Sequence, residues 1–349
     1  MMIEIAWAIG LPWFFQWQAN GGLTGGAIPG GTLAQTWFCA HGILLALMCI
    51  GTFIDFDEKT IPDEVTVTGT LIALLLAAFA PWARLPEVVA GMGGVAIRSV
   101  HYASPSPVPG WHVGNAGMLV AMLIFAIWIW ALMPKLPIWY VGLRKSCRFM
   151  FAYAIQPKRK TKCDIRTTPR STPGVTIFLG GLLVAGLITL AVGWGRLPIL
   201  NQQSLYGSFI GLAFGGGLVW AIRIIGTVAM QQEAMGFGDV TLMAMIGAFL
   251  GWQASLLVFV IAPFAALLVV FLHFVLTREN VIAFGPYLCA GGVILLFKWS
   301  TLWPAAAKGV FALGPVLLGI LTAALVLMAL MLAFIQWFKQ LFNKGEVAE

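Results

Sequence analysis

A series of long apolar stretches, separated by short polar segments, runs from the N-terminus to the C-terminus of the sequence. A helix that crosses the hydrocarbon core of a membrane needs about 20 mostly apolar residues. Candidate spans are residues 32–54, 65–82, 116–133, 175–194, 205–230, 256–276 and 314–338, with shorter ones at 240–252 and 285–299 and a further one at 1–18. The sequence therefore predicts an all-α protein, a polytopic transmembrane helix bundle of about 8–10 membrane segments.

The composition excludes a soluble domain of this size. Of the 349 residues, 60% are hydrophobic and 9% are charged, whereas soluble domains contain about 25% charged residues. A bilayer replaces water around the outer surface, so it accommodates apolar side chains that no soluble core has room to bury. The first apolar stretch carries Glu4 and lacks a basic segment, so we do not expect it to be a cleavable signal peptide.

Basic residues are concentrated in one loop. The net charge is +7, and nine of the 20 Lys and Arg residues lie in residues 144–170, where Asp164 is the one acid. Such a loop between apolar spans indicates the cytoplasmic side, where we also expect it to contact anionic lipid headgroups. Because the positive charge does not follow a binding face, nucleic-acid binding is not predicted. Alternation of the spans then places residues 55–64 and 231–238 on the cytoplasmic side too.

The basic loop divides the chain into two membrane regions. The predicted parts are an N-terminal apolar segment (1–31), a membrane region with a cluster of acids (32–134), the basic cytoplasmic loop (135–173), a second membrane region (174–338) and a cytoplasmic tail (339–349). Within the basic loop, residues 138–153 mix aromatic and basic side chains, which is typical of a helix on the membrane surface. Residues 83–115 are rich in Gly, Pro and Ser and are predicted as a loop on the outer face.

Acidic residues are rare, so their clustering is informative. Five of the 13 acids lie within ten residues, at Asp55, Asp57, Glu58, Asp63 and Glu64. A further acid, Asp239, follows Gly236-Phe-Gly at the start of a short apolar stretch. Alternation of the spans places it at the same membrane boundary as the cluster. Acids at the edge of a membrane span indicate a functional site.

A pair of carboxyl groups held close together suits a hydrolase. The charged group acts as a base toward water, while the protonated group donates a hydrogen bond to the scissile carbonyl. Gly236 and Gly238 would let a substrate backbone approach Asp239. Spacing alone leaves alternatives open: Asp239 as a helix N-cap, Asp63 and Glu64 as first-turn acids after Pro62, and Asp57 with Glu58 in a solvated loop.

These stretches resemble the motifs of the prepilin leader peptidase family, membrane aspartyl proteases of the Gly-x-Gly-Asp type. Residues 55–63 fit the first motif, Asp-x-Asp-x-x-x-(Leu/Ile)-Pro-Asp, and residues 236–253 are similar to the second. A third stretch, Phe284-Gly-Pro-Tyr-Leu288, is similar to the Pro-Phe-Gly-Pro segment of the family. Archaeal members keep the first acid of the first motif and have a basic residue in place of the second. The resemblance therefore assigns Asp55, rather than Asp57, as the first catalytic carboxylate and Asp239 as the second.

The resemblance implies a membrane aspartyl endopeptidase of the cell inner membrane, with its active site at the cytoplasmic face. It would remove the short basic leader, after a Gly, from type IV prepilin-like or pseudopilin precursors of a type IV pilus or type II secretion system. Water would be the nucleophile, with Asp55 and Asp239 sharing the base and acid roles. No metal and no organic cofactor is implied. The sequence predicts neither the precursor nor the oligomeric state.

Two departures from the family pattern leave other functions open. Many members have Lys two residues after the second Asp, where this sequence has Thr241. The sequence has no C-x-x-C pair, so we do not expect the N-methyltransferase activity and the zinc site of bifunctional members. An ion-coupled membrane transporter, whose paired carboxyl groups bind protons or cations, and a catalytically inactive scaffold of a secretion or pilus system remain alternatives.

Two further features concern the spans themselves. Arg223 lies within the fifth span, where its guanidinium is expected either to reach lipid headgroups or to pair with Glu233 or a catalytic carboxylate. Glycines spaced four residues apart are typical of closely packed membrane helices. They occur at Gly207, Gly211 and Gly215, and again at Gly247 and Gly251.

Overall fold

The computed structural model describes residues 2–91, 94–108, 110–112, 114–133, 173–230, 235–276 and 284–346. The predicted interfacial helix at 138–153 and almost all of the basic loop lie outside these ranges. So do Glu233 and the end of the predicted tail.

Helices make up most of the described chain. They are α1 (Met2–Ala19), α2 (Gly31–Glu58), α3 (Asp63–Phe79), α4 (Asn115–Leu132), α5 (Pro173–Gly193), α6 (Ile199–Met230), α7 (Phe237–Leu250), α8 (Trp252–Leu276), α9 (Gly285–Leu302), α10 (Lys308–Phe311) and α11 (Pro315–Glu346). A π-helical turn, Trp303–Ala307, joins α9 to α10. The prediction of an all-α, polytopic helix bundle is confirmed.

Within the described ranges, six helical segments are long and apolar enough to cross a membrane. They are Gly31–Glu58, Asn115–Leu132, Val175–Arg196, Ile199–Ala229, Gly285–Phe311 and Pro315–Gln336, and two shorter apolar helices are Phe237–Leu250 and Trp252–Leu267. Long apolar side chains on these helices are exposed, which suits contact with lipid. The chain is a multi-pass membrane protein.

The described chain forms two compact units. Met1–Val113 with Pro198–Glu349 make up the first, and Gly114–Leu197 the second. In the second unit α4 packs against α5, and the ring of Phe125 occupies the space beside Gly186 where a Cβ would stand. The candidate acids, Asp55 and Asp239, both lie in the first unit.

The break between α2 and α3 has a local cause. Lys59 ends α2 in the left-handed conformation, with φ of 54°, and its N–H donates to the carbonyl of Asp55. Pro62 is the extended N-cap of α3, because a proline cannot continue the preceding helix and its fixed φ suits a helix start. Asp63 and Glu64 occupy the first turn, where acids interact favourably with the helix dipole. The interpretation of these two acids as helix-start residues is confirmed.

Helix α7 is the central element of the first unit. It contacts α2, α3, α6, α8 and α9, and every residue from Asp239 to Leu250 is buried. A helix that is apolar on all sides is expected to be enclosed by others. With 14 residues and a rise of about 1.5 Å per residue, it is shorter than the membrane core. Asp239, in its first turn, is among the buried residues.

Glycines let α6 and α7 approach within backbone contact. A Cβ added to Gly211 would collide with the carbonyl of Gly247, and one added to Gly215 would stand 2.5 Å from the carbonyl oxygen of Met243. The prediction that Gly211, Gly215 and Gly247 mediate close helix packing is confirmed. Gly207 and Gly251 have a different neighbour, since both face the guanidinium of Arg84.

Replacing Gly247 by alanine is expected to destabilise the bundle by about 1–3 kcal/mol, because the new methyl group overpacks the α6–α7 contact. Its Cβ would meet the carbonyl of Gly211 and would stand 2.9 Å from Oγ of Ser255. Thermal unfolding in detergent measures the effect as a lower Tm. Gly217→Ala is the matched control on α6, because nothing lies within 4 Å of that position. An equal Tm for the two variants would contradict the packing role.

The region predicted as an irregular loop at 83–115 contains a β-hairpin. Strand β1 (Pro86–Gly91) pairs antiparallel with β2 (Gly94–Ser99), in the register that sets Glu87 opposite Arg98. Val and Ile residues in both strands, on either side of the sequence Gly-Met-Gly-Gly, explain the hairpin. The prediction of irregular structure was wrong for this segment.

Side chains at helix ends hold this region against the bundle. Trp37 of α2 donates to the carbonyl of Trp82 at 2.8 Å, and Trp299 of α9 donates to that of Pro86 at 2.7 Å. Gln253, in the first turn of α8, donates to the carbonyl of His101 at 2.8 Å. These bonds satisfy buried backbone oxygens that the hairpin and its flanking turns leave unpaired.

Candidate active site

Asp55 lies in the last turn of α2, and its carboxylate points to the start of α9. The side chain is buried, with 5% of its surface exposed. It accepts a hydrogen bond from the backbone N–H of Gly285, the first residue of α9. The first N–H groups of a helix have no partner within it and carry a partial positive charge, so they suit a carboxylate. Among the described residues, Oδ2 of Asp55 has no hydrogen-bond partner.

Asp239 lies in the first turn of α7 and is also buried, with 7% of its surface exposed. The N-cap of α7 is Gly236, in an extended conformation, so the alternative that Asp239 is the N-cap was wrong. As the third helical residue, Asp239 reaches back and accepts the N–H of Gly236. This is the geometry by which an acid at the third position of a helix satisfies the N-cap N–H.

Gly285 brings the two carboxyl groups together. A Cβ added to Gly285 would stand 2.6 Å from Oδ2 of Asp55 and 3.3 Å from Oδ1 of Asp239. Oxygens of both carboxyl groups thus lie within 3.3 Å of a single point at the start of α9. Residues 184 positions apart in the sequence form one buried acidic pair at the junction of α2, α7 and α9.

The loop between α2 and α3 packs against Gly238, next to Asp239. Ile61 is buried, and a Cβ added to Gly238 would stand 2.9 Å from the Cβ of Ile61 and 3.2 Å from its backbone nitrogen. Gly238 is therefore required for close approach of this chain's own loop. A Cβ at Gly236 would make only ordinary van der Waals contacts, at 3.7 Å and beyond. The prediction that Gly236 and Gly238 admit a substrate backbone stays a prediction.

Thr241 and Arg223 both support the segment that carries Asp239. Oγ1 of Thr241 donates to the carbonyl of Gly238 at 3.0 Å. Nε of Arg223 on α6 donates to the carbonyl of Met235 at 2.8 Å, and its guanidinium lies 5.8 Å from the ring centroid of Phe237. Arg223 thereby holds the two residues that flank the N-cap of α7. Its predicted partner Glu233 lies outside the described residues.

The other acids of the cluster lie at the surface. Asp57 and Glu58 are exposed, as are Asp63 and Glu64 at the start of α3. Asp57 and Glu58 belong to the last turn of α2, so the alternative of a solvated loop was wrong, and their exposure distinguishes Asp57 from the buried Asp55. The stretch around Phe284 was predicted by resemblance alone. The role of Gly285 was not predicted: it supplies an N–H to Asp55 and leaves the space in which the two carboxyl groups approach each other.

Comparison with known proteins matches the segment that carries Asp239. Residues 174–271 match the family model described as "Type IV leader peptidase family", and this range contains Asp239. A prepilin leader peptidase/N-methyltransferase of Pectobacterium carotovorum subsp. carotovorum is 35% identical over 118 residues, which cover 32% of this chain and 42% of the relative. The protein of the same description from Burkholderia pseudomallei strain 1026b is 33% identical over 119 residues, covering 33% and 36%.

A third relative, the prepilin leader peptidase/N-methyltransferase of Escherichia coli strain K12, is 30% identical over 120 residues, covering 33% of this chain and 53% of the relative. The chain thus spans about a third to a half of the length of these curated relatives. No solved structure matches. The resemblance read from the motifs is confirmed, because residues 174–271, which contain Asp239, match the model of the type IV leader peptidase family.

Proposed function

We propose that this protein is a membrane aspartyl endopeptidase that removes the leader from type IV prepilin-like or pseudopilin precursors. The observation that carries the proposal is the convergence of Asp55 and Asp239 on Gly285. Buried acids at the end of a membrane helix are costly and indicate function. The similarity to prepilin leader peptidases supports the substrate class.

The proposed chemistry is addition of water to the scissile carbonyl. In general, two adjacent carboxyl groups titrate as a pair, with one charged and the other protonated. The charged group takes a proton from water as its oxygen attacks, and the protonated group donates to the carbonyl oxygen. Collapse of the intermediate breaks the C–N bond and returns a proton to the leaving amine. The absence of a metal or cofactor from this mechanism stays a prediction.

Backbone donors position both acids for this reaction. The N–H of Gly285 binds Asp55, and the N–H of Gly236 binds Asp239. Each donor belongs to the start of a helix, so its direction is fixed by the backbone and not by a mobile side chain. Because the catalytic groups are already in position, the activation free energy does not include the free energy of arranging them.

We place the active site at the cytoplasmic face of the inner membrane. The nine basic residues in 144–170 support this orientation, because basic loops are retained on the cytoplasmic side. The predicted partners are the precursor and membrane lipid. The comparisons do not favour the transporter or the inactive scaffold.

Cleavage of a co-reconstituted precursor tests the proposal. Purified protein in liposomes is expected to convert a prepilin-like precursor to a product that begins directly after the leader glycine, as determined by mass spectrometry. A precursor with Val in place of that glycine is the matched control and is expected to stay intact. A chelator is expected to leave the rate unchanged. Absence of cleavage across several precursors by folded protein would contradict the proposed function.

A further inference from the structure

Arg84 is a buried cation in the segment that follows α3, outside the acidic pair. It follows the 3₁₀ turn Pro81–Ala83, and 4% of its surface is exposed. Its guanidinium lies between α6 and the end of α7. A Cβ added to Gly207 would stand 3.0 Å from its Cζ, and one added to Gly251 would stand 3.4 Å from it. Side chains at either glycine would displace the guanidinium.

This guanidinium has no counter-charge in the described part of the chain. Its Nε and Nη1 atoms have no hydrogen-bond partner there. The acid of the neighbouring hairpin, Glu87, is paired with Nζ of Lys308 at 3.0 Å and stands opposite Arg98 in the strand register. Burial lowers the pKa of Arg84 to about 10, so the group stays charged at neutral pH. An unpaired buried charge is strongly unfavourable, and some compensating group is expected.

The end of α7 supplies part of the compensation. Gly251 is the C-cap of that helix, and a helix C-terminus carries about half of a negative charge. This terminus alone therefore neutralises only about half of the positive charge of Arg84.

A small cavity of about 10 Å³ lies against Arg84, which is room for about one water-sized sphere. Apart from Arg84, the residues that line it are apolar: Ala40, Ala73, Leu76, Ala77, Ala83, Ala248 and Phe249. A buried water is held by about three hydrogen bonds, including bonds to acceptors, and apolar side chains offer none. An anion requires only donors and positive charge, which are what Arg84 presents.

We propose that Arg84 anchors a buried site for one halide-sized monovalent anion, such as chloride. The cavity volume excludes a lipid headgroup or phosphate, and the guanidinium provides both the charge and the unpartnered N–H donors. The bound anion lies in the cavity that α2, α3 and α7 line, and it neutralises the part of the charge that the helix terminus leaves. This site is separate from the acidic pair and does not depend on the proposed peptidase activity.

Thermal unfolding of the purified full chain tests the site. At constant sodium and ionic strength, replacing gluconate by chloride or bromide is expected to raise the Tm saturably, by about 2–4 °C. Arg84→Met is expected to remove this shift, since the uncharged apolar side chain binds no anion. Arg98→Met is the matched control, because Arg98 is exposed on β2 and its loss is expected to leave the shift intact.

Equal Tm values for the wild type in gluconate and chloride would overturn the proposal in favour of a water molecule or the helix terminus alone. A halide shift that persists in Arg84→Met would overturn it too. If Arg84→Met does not fold, crystals of the wild type grown in bromide test whether an anion binds at Arg84. An anomalous peak in contact with the Arg84 guanidinium supports the site, and ordered bromide elsewhere with none at Arg84 refutes it.

Discussion

Replacing either Asp55 or Asp239 by asparagine is expected to lower the rate of precursor cleavage by about 10³-fold or more. Asparagine has nearly the same shape as aspartate, and its amide oxygen still accepts the N–H of Gly285 or Gly236. It cannot take up or release a proton in the reaction. The substitution therefore removes the chemistry while it retains the geometry that holds the two side chains together. Initial rates in liposomes, with Tm as the measure of folding, give the result.

Asp57→Asn is the matched control for this prediction. Asp57 lies two residues from Asp55 in the same acidic motif, but its side chain is exposed. We expect its rate to stay close to that of the wild type. The double variant Asp55→Asn/Asp239→Asn is expected to be no slower than either single variant, because residues that act as a unit lose their effect together. An active Asp55→Asn with an inactive Asp57→Asn would assign the first carboxylate to Asp57.

The membrane spans were predictable because each carries its own signal. An apolar stretch of sufficient length indicates a span whatever it packs against. Thus residues 32–54 and 116–133 correspond closely to α2 and α4. Helix ends are less well determined, because one turn can be added or lost at little cost. This explains why Asp239 was compatible with an N-cap, whereas the helix begins two residues earlier, at Phe237.

The hairpin at Pro86–Ser99 was missed because its signal is weak. Each strand has six residues, which is too short for an alternating pattern to stand out from the surrounding Gly, Pro and Ser. Its stabilising contacts are also distant in sequence. Trp299, for example, lies 213 residues from Pro86, to which it donates. No local pattern of residues encodes such a partner.

The acidic pair was predictable in identity but not in arrangement. Asp55 and Asp239 were singled out by their scarcity, their common membrane boundary and their motifs. Their convergence depends on three helix ends meeting, and on Gly285 of a third motif standing between them. Sequence resemblance marked that motif without giving a physical reason for it. The reason is that its glycine supplies an N–H to Asp55 and leaves the space that both carboxyl groups occupy.

Replacing Gly285 by alanine is accordingly expected to lower kcat by about 10²-fold, since a displacement of about 1 Å in a catalytic group has an effect of this size. The new Cβ would stand 2.6 Å from Oδ2 of Asp55 and 2.7 Å from Cδ1 of Ile61. Ile61 can rotate its terminal methyl away, whereas Asp55 is held by the N–H of residue 285 itself. The carboxylate therefore has to move, and its position relative to Asp239 changes. Initial rates over a range of precursor concentrations separate kcat from KM.

Gly51→Ala is the control for this substitution. Gly51 lies one turn before Asp55 on α2, and nothing stands within 4 Å of a Cβ at that position. Alanine is expected to leave the rate unchanged there and to stabilise the helix by about 0.5–1 kcal/mol. A fall in kcat for Gly285→Ala with a Tm near that of the wild type identifies displaced carboxyl groups as the cause. Wild-type activity in Gly285→Ala would show that catalysis does not require the close approach of α9 to the acidic pair.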